Sequence, residues 1–400
     1  MIAHTLQPVA LKSQAVNFKA LPPLSLYIHI PWCVRKCPYC DFNSHEARSA
    51  LPEREYVAAL IHDLELALPL IWGRKVYTVF FGGGTPSLLS GASVEEILRN
   101  VRMLLPLSGS AEITLEANPG TVEAARFAVY LEAGVNRLSM GIQSFNDIHL
   151  QALGRIHSAD EAKRAITIAQ QHFDNLNLDL MYALPRQTLD QTLQDVQTAL
   201  SFAPQHLSCY HLTLEPNTLF HRNPPSLPDD DASAEMQQRI EGLLAAHGYE
   251  HYETSAFAQP KRRARHNLNY WQFGDYLGIG AGAHSKLSFP DRIIRQARYK
   301  QPQAYMQQVA MNTPIQTENE VAVDGLPFEF MMNALRLNEG FDSVLFQERT
   351  SLPLLGIQRE LEEAERRSLL SRDHRRIAPT RLGQRFLNDL LELFLVEKNR

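Results

Sequence analysis

No stretch of this 400-residue chain is long and apolar enough to span a bilayer, and Met1 to Ala20 has too few consecutive apolar residues for a signal peptide. Charge of one sign is also missing. With 39 basic and 44 acidic residues the net charge is −5, which gives no global argument for binding nucleic acid or an acidic membrane. No period of about 33 or 40 residues is visible, so the chain is not a solenoid. Cysteine is scarce, with four in the whole chain. What remains is ordinary: 44% apolar and 21% charged residues are typical of a soluble globular protein. The length predicts one large domain and a smaller one.

The cysteines are not scattered. Cys33, Cys37 and Cys40 lie within eight positions, spaced C-x3-C-x2-C. Such spacing lets three thiolates of one loop converge on a compact iron–sulfur cluster, whose irons prefer soft ligands. Three ligands are one short of the four that close a [4Fe–4S] cluster, so one iron keeps an open position, and open positions belong to chemistry. A zinc site is the alternative, with His29 or His45 as fourth ligand, but common zinc spacings pair two C-x2-C arms and this chain has one. Thiolate ligands without a secretion signal predict a reducing, cytoplasmic compartment. Cys209, alone in Leu207-Ser208-Cys209-Tyr210-His211, reads as a small core residue.

Strand and helix patterns alternate along the chain. Strands are predicted at 24–30, 76–81, 112–116, 136–142, 176–181 and 206–213. Helices are predicted at 52–69, from a capping box Ser93-x-x-Glu96, from Thr121 to Gly134, from Ser158-x-x-Glu161, from Thr188-x-x-Gln191, and over 231–247. Six strand–helix units in strict alternation predict a parallel β/α architecture, two units short of a closed barrel: a partial, open (β/α)6 barrel. The pattern breaks after Phe257. A basic loop (Lys261 to Arg265) and a Gly-rich run (Gly278 to Ala283) follow, then a mostly helical, winged-helix-like domain closing with a helix from Thr380 to about Val396. The expected division is 1–20 extension, 21–290 barrel and 291–400 C-terminal domain. Neither the arginine-rich loop nor the winged-helix shape makes this a nucleic-acid reader.

In parallel β/α barrels ligands sit at the C-terminal strand ends, where loops from several strands meet. Gly82-Gly83-Gly84-Thr85 ends the second predicted strand, where glycine permits positive φ and close backbone approach. Glu116, Gln143 and Asp179 lie at or near the ends of strands three, four and five. One polar residue on an apolar strand is usually satisfied internally; three at equivalent ends suggest a ligand shell.

The cysteine loop, entered through Tyr27-x-His29-x-Pro31, resembles the signature of radical S-adenosylmethionine (SAM) proteins. Within these it resembles the oxygen-independent coproporphyrinogen III dehydrogenase family and its relatives, the HemW-type haem chaperones. The resemblance implies that Cys33, Cys37 and Cys40 bind a [4Fe–4S] cluster whose open iron is chelated by SAM. It also implies SAM contacts from Tyr27, Tyr39, Gly83, Gly84, Thr85, Glu116, Gln143, Arg155 and Asp179. Two features separate the branches. The dehydrogenases carry a fourth cysteine two positions after the third, and here that position is Phe42. His266-Asn267-Leu268-Asn269-Tyr270-Trp271 matches the H-N-x-x-Y-W signature of the chaperones. Its imidazole could ligate haem iron, its aromatic pair offers flat apolar surface, and Arg262, Arg263 and Arg265 lie close enough in sequence to meet propionates. Ala183 and Arg186 stand where the family usually has glycine. The implied function is haem delivery to apo-haemoproteins, with oxidative decarboxylation of coproporphyrinogen III as the alternative. Whether SAM is turned over stays open, as does a homodimer.

Overall fold

The computed structural model describes residues 16–47, 50–120 and 125–395. Its framework is one twelve-stranded sheet. In chain order the strands are β1 (Leu24–Ile30), β2 (Val76–Gly83), β3 (Leu107–Ala117), β4 (Arg137–Gln143), β5 (Leu176–Tyr182), β6 (His206–His211), β7 (Glu250–Glu253), β8 (Ala256–Ala258), β9 (Asp275–Ile279), β10 (His284–Ser288), β11 (Ile293–Arg298) and β12 (Ile315–Glu320). Across the sheet they run β12-β11-β10-β9-β1-β2-β3-β4-β5-β6-β8-β7.

The six expected strands β1 to β6 are adjacent, parallel and in sequence order. A seventh, β9, pairs in parallel with β1, aligning Tyr27 with Gly278. The alternation rule missed it because a single helical turn pair, Arg265–Trp271, replaces the usual crossover helix. That segment leads from β8, paired with β6, to β9, paired with β1, and so crosses between the two edges of the open barrel. Antiparallel strands extend the sheet at both edges. The sheet ends at Glu320, and residue 290 falls between the paired strands β10 and β11.

β1 packs its leucines and isoleucines into the main core. Leu24, Leu26, Ile28 and Ile30 face helices Glu53–Ala67 and Gly91–Leu104 in one core with Tyr56, Leu60, Val94 and Leu98. Capping boxes at Ser158 and Thr188 start their helices as predicted. The helix expected at Ser93 begins three residues earlier, because the Ser90 hydroxyl accepts from the Ser93 amide. The helix read from Thr121 is described from Phe127 and stops at Gly134, φ 104°; Thr121 itself lies outside the described residues.

The C-terminal region has its own core around Phe330, Phe346, Leu361 and Leu390, which also takes in Val16 and Phe18. It combines helices Leu326–Ala334, Ser343–Thr350 and Gln358–Arg366 with a small antiparallel sheet of Phe341–Asp342, Arg376–Pro379 and Leu370–Arg372. The closing helix is interrupted: Phe386 leaves helical geometry between Arg381–Arg385 and Leu387–Glu392. Among the described residues no helix is long and apolar enough to cross a membrane.

Candidate functional site

The cysteine loop leaves the C-terminal end of β1. Trp32–Cys33 pairs with His45–Glu46 as a short parallel ribbon, which closes the loop that carries Cys37 and Cys40. Lys36 Nζ donates to the carbonyls of Phe42 (3.2 Å) and Ser44 (3.3 Å). His29 Nε2 donates to Asn43 O at 2.8 Å, which leaves Nδ1 to accept from the Tyr27 hydroxyl at 3.0 Å. Asn43 in turn donates to the carbonyls of Ala281 and Lys300, both at 2.9 Å. Gly282, φ 81°, makes that contact possible, since a Cβ there would stand 2.2 Å from the Asn43 amide. The two histidines weighed as zinc ligands are thus occupied otherwise: His29 uses both nitrogens, and His45 Nε2 lies 3.3 Å from Lys300 O.

None of the three loop cysteines is in a disulfide, and all are partly exposed at the barrel mouth. Burial, and then the neighbouring thiolates, push the Cys33 thiol up, while a hydrogen bond from Thr85 offsets part of this. Burial likewise raises Cys40. Among the described residues no three His, Cys, Asp or Glu side chains converge to hold a single ion. A cubane cluster asks for something else, because each cysteine binds a different iron.

Around this loop the structure gathers the strand-end residues. Gly83, φ 114°, donates its amide to Glu116 Oε2 at 3.3 Å, and a Cβ there would stand 2.6 Å from the His29 ring. Burial and then the Asp179 charge push the Glu116 carboxyl up to about 8; the Gly83 amide and buried Arg137 act the other way. Asp179 is oriented by Ser139 Oγ (3.0 Å) and Asn177 Nδ2 (2.8 Å), and burial raises it too. Gln143 has φ 68° beside a register shift between β4 and β5, so β4 turns at that point. Tyr27 lies against Phe80 of β2 with its hydroxyl pushed up by burial and then by Glu116.

Arg155 ties the shell to the cysteines. Its Nη2 donates to Asn118 Oδ1 at 2.6 Å and to Gly141 O at 2.7 Å, and Nη1 lies 3.8 Å from Cys37 Sγ. Its Nε is buried without a partner. Asn118 Nδ2 donates to Thr85 Oγ1 at 3.1 Å. Tyr39 packs beside Phe220, ring centroids 6.4 Å apart. Sequence reasoning missed Asn118, two positions beyond Glu116, and weighed His29 only as a zinc ligand, whereas it anchors the loop. Both were polar residues at strand ends, the same signal that flagged Glu116. The residues fit the implied cofactors: three soft thiols, a glycine cradle, and a buried guanidinium with Nη1 beside the Cys37 thiol and an unpartnered Nε.

His266 is elsewhere. It opens the short helix Arg265–Trp271 and is buried, 1% exposed. Nδ1 is 2.7 Å from Thr78 Oγ1, whose hydroxyl donates to Ser25 Oγ at 2.8 Å, and Nε2 is 3.2 Å from Tyr270 OH. The ring stacks on Phe80, centroids 4.9 Å apart. Burial, and then Arg137, lower its pKa to about 3. With both nitrogens engaged, His266 has no lone pair free for haem iron in this conformation. Tyr270 packs on Tyr276 and Trp271 under the Arg336 guanidinium. Arg263 pairs with Glu250 and Glu339, and Arg265 donates to Ser110 O. In place the hexamer plugs the barrel floor.

Residues 27–199 match the family model described as the radical SAM superfamily, and residues 324–386 match the HemN C-terminal domain. The heme chaperone HemW of Escherichia coli (strain K12) is 51% identical over 381 residues, covering 94% of this chain and 99% of that protein. The heme chaperone HemW of Haemophilus influenzae is 47% identical over 384 residues, with the same two coverages. The chain belongs to the HemW family of the radical SAM superfamily. The solved structure of coproporphyrinogen III oxidase (HemN) from Escherichia coli shares the fold, with TM-score 0.80 over 94% of this chain and 90% of that one, at 23% identity. Against this family background Phe42, where the oxidase branch has its fourth cysteine, is 61% exposed and leaves the loop without a further thiol. The two departures from family glycine, Ala183 and Arg186, both adopt left-handed backbone, φ 56° and 58°. That conformation explains why glycine is the usual choice there.

Proposed function

We propose that this HemW-family protein is a haem chaperone that carries a [4Fe–4S] cluster on Cys33, Cys37 and Cys40, binds SAM, and hands haem to apo-haemoproteins in a reducing cytoplasm. The observation that carries the cofactor reading is Arg155, which reaches from Asn118 to within 3.8 Å of Cys37 Sγ and keeps a buried, unpartnered Nε. A guanidinium so placed has a free donor for a carboxylate. When bound, the cluster with SAM supplies one-electron chemistry. Gly83, Gly84 and Thr85 offer backbone and hydroxyl groups to the SAM amino group. Glu116, Gln143 and Asp179 supply polar contacts, and Tyr27 and Tyr39 flank the site. The exposed Phe42 supports chaperone over dehydrogenase, since it brings no thiol to the loop.

The test is an anaerobic preparation with reconstituted cluster, assayed side by side. Haem-loaded protein should restore the Soret band of an apo-haemoprotein such as apomyoglobin, and coproporphyrinogen III with SAM and reductant should remain unconverted. Turnover of coproporphyrinogen III, or failure to retain any haem, overturns the reading.

A further inference from the structure

At the end of the barrel opposite the cysteine loop, where β1 and β2 begin, lies a cavity of about 360 Å³ lined by Pro22, Leu24, Arg74, Lys75, Tyr77 and Arg349 among others. A strand of seven residues, roughly 3.3 Å each, separates it from the cysteines by on the order of 20 Å. Its lining holds three cations and no carboxylate. Arg74 Nη2 donates to Pro22 O at 2.6 Å and pairs with Asp275 at 2.8 Å, but Nη1 is buried without a partner. Asp275 cannot neutralise the group. It is itself buried and already takes Lys286 at 2.9 Å, the Ser288 amide and the Ser288 hydroxyl.

Lys75 is exposed with its ammonium 5.9 Å from the Tyr77 ring centroid, and Arg349 donates Nε to Gln272 O at 3.3 Å. Glu348, next to Arg349 in sequence, lines a different cavity, and its charge and that of Asp275 reach Arg349 from outside this lining. The first fifteen residues contain no Asp or Glu that could serve as counter-ion. Like charges gathered around a concave wall with an unmet buried donor are costly until an anion enters. The volume lies in the range of small-ligand sites.

We propose that this cavity binds an oxyanion, a carboxylate or a phosphate, between Arg74, Lys75 and Arg349. Two sources share that chemistry: a free phosphate, or the propionates of haem. The haem source alone rests on the proposed function; the phosphate source does not.

The full chain is titrated calorimetrically with inorganic phosphate at constant ionic strength set by chloride. Haem and haem dimethyl ester, which lacks the carboxylates, are titrated by their Soret bands. The comparison variant is Lys75→Gln/Arg349→Gln, which leaves the Arg74–Asp275 pair untouched; if its melting temperature falls, the exposed Lys75→Gln alone is used. A tenfold or larger loss of phosphate affinity supports a phosphate ligand. A similar loss for haem but not for its dimethyl ester supports the propionates. Binding of phosphate and of haem that is identical in variant and wild type overturns the proposal. Failure of haem to bind wild type at all, with phosphate bound and lost in the variant, removes the chaperone reading and leaves the oxyanion site.

Discussion

Arg155 Nη2 donates to Asn118 Oδ1 at 2.6 Å, and this bond, with a second from Nη2 to Gly141 O at 2.7 Å, fixes the guanidinium between the cysteine loop and the ends of β3 and β4. Lysine cannot reproduce the fork, because an ammonium is a point charge without planar paired donors. Arg155→Lys should therefore weaken SAM binding by about 1.5–3 kcal/mol, the usual worth of a hydrogen bond to a charged group. Iron content should stay at the wild-type level, since no thiol is removed. Equal SAM affinity in variant and wild type, measured by equilibrium dialysis, would take Arg155 out of the site.

Glu116 sets the pH dependence. Its carboxyl is held at about 8 in the ligand-free protein, against an ordinary value of 4.5. Between these values the folded protein holds a proton that the unfolded chain has lost, so stability falls as pH rises through that window. Cationic SAM favours the ionised carboxylate, so binding near neutrality should release a proton and tighten from about pH 6.5 to about pH 8.5. Calorimetry in buffers of different ionisation enthalpy measures that proton; an enthalpy that is independent of buffer counts against Glu116. Glu116→Gln should flatten the profile.

His266 behaves as a core residue with a pH signature. Its folded pKa is depressed to about 3 from 6.5, so on acidification the unfolded state takes up a proton that the folded state refuses. Its stabilising contribution is present above about pH 6.5 and is lost progressively towards pH 3. His266→Ala should cost about 2–4 kcal/mol through the cavity and the stranded Thr78 and Tyr270 hydroxyls. Urea unfolding reads this directly. A His266→Ala protein with an unchanged midpoint and no Soret shift on haem addition would instead restore the imidazole as an iron ligand.

Arg186 is exposed and held at φ 58°. Relief of the left-handed penalty in Arg186→Gly, less the added freedom of the unfolded chain, should stabilise by up to about 1 kcal/mol. Ala183 shares the conformation but is 1% exposed, so Ala183→Gly also forfeits a packed methyl and should gain less. Thermal melts of both variants check the order, and a larger gain at Ala183 contradicts it.

Local chemistry was legible before any coordinates. The three cysteines, the capping boxes at Ser158 and Thr188, and the alternation that set β1 to β6 side by side all act over a few residues, where spacing alone dictates geometry. Glu116, Gln143 and Asp179 were legible as strand-end polar residues, because parallel strands bring their C-terminal ends together whatever the loops between them.

The remainder depended on partners distant in the chain. Arg155 meets Asn118 across 37 positions and Cys37 across 118, and His266 meets Thr78 across 188. No periodicity encodes such pairings. The hexamer from His266 to Trp271 read, from its residue types, as a haem-binding segment. The crossing of Arg265–Trp271 between the barrel edges, which no local pattern announces, places the imidazole where Thr78 and Tyr270 occupy both nitrogens. The sequence by itself determined which side chains could do chemistry; the tertiary structure decided which of them were left free to do it, because burial and competing hydrogen bonds are set by neighbours that sequence order does not name.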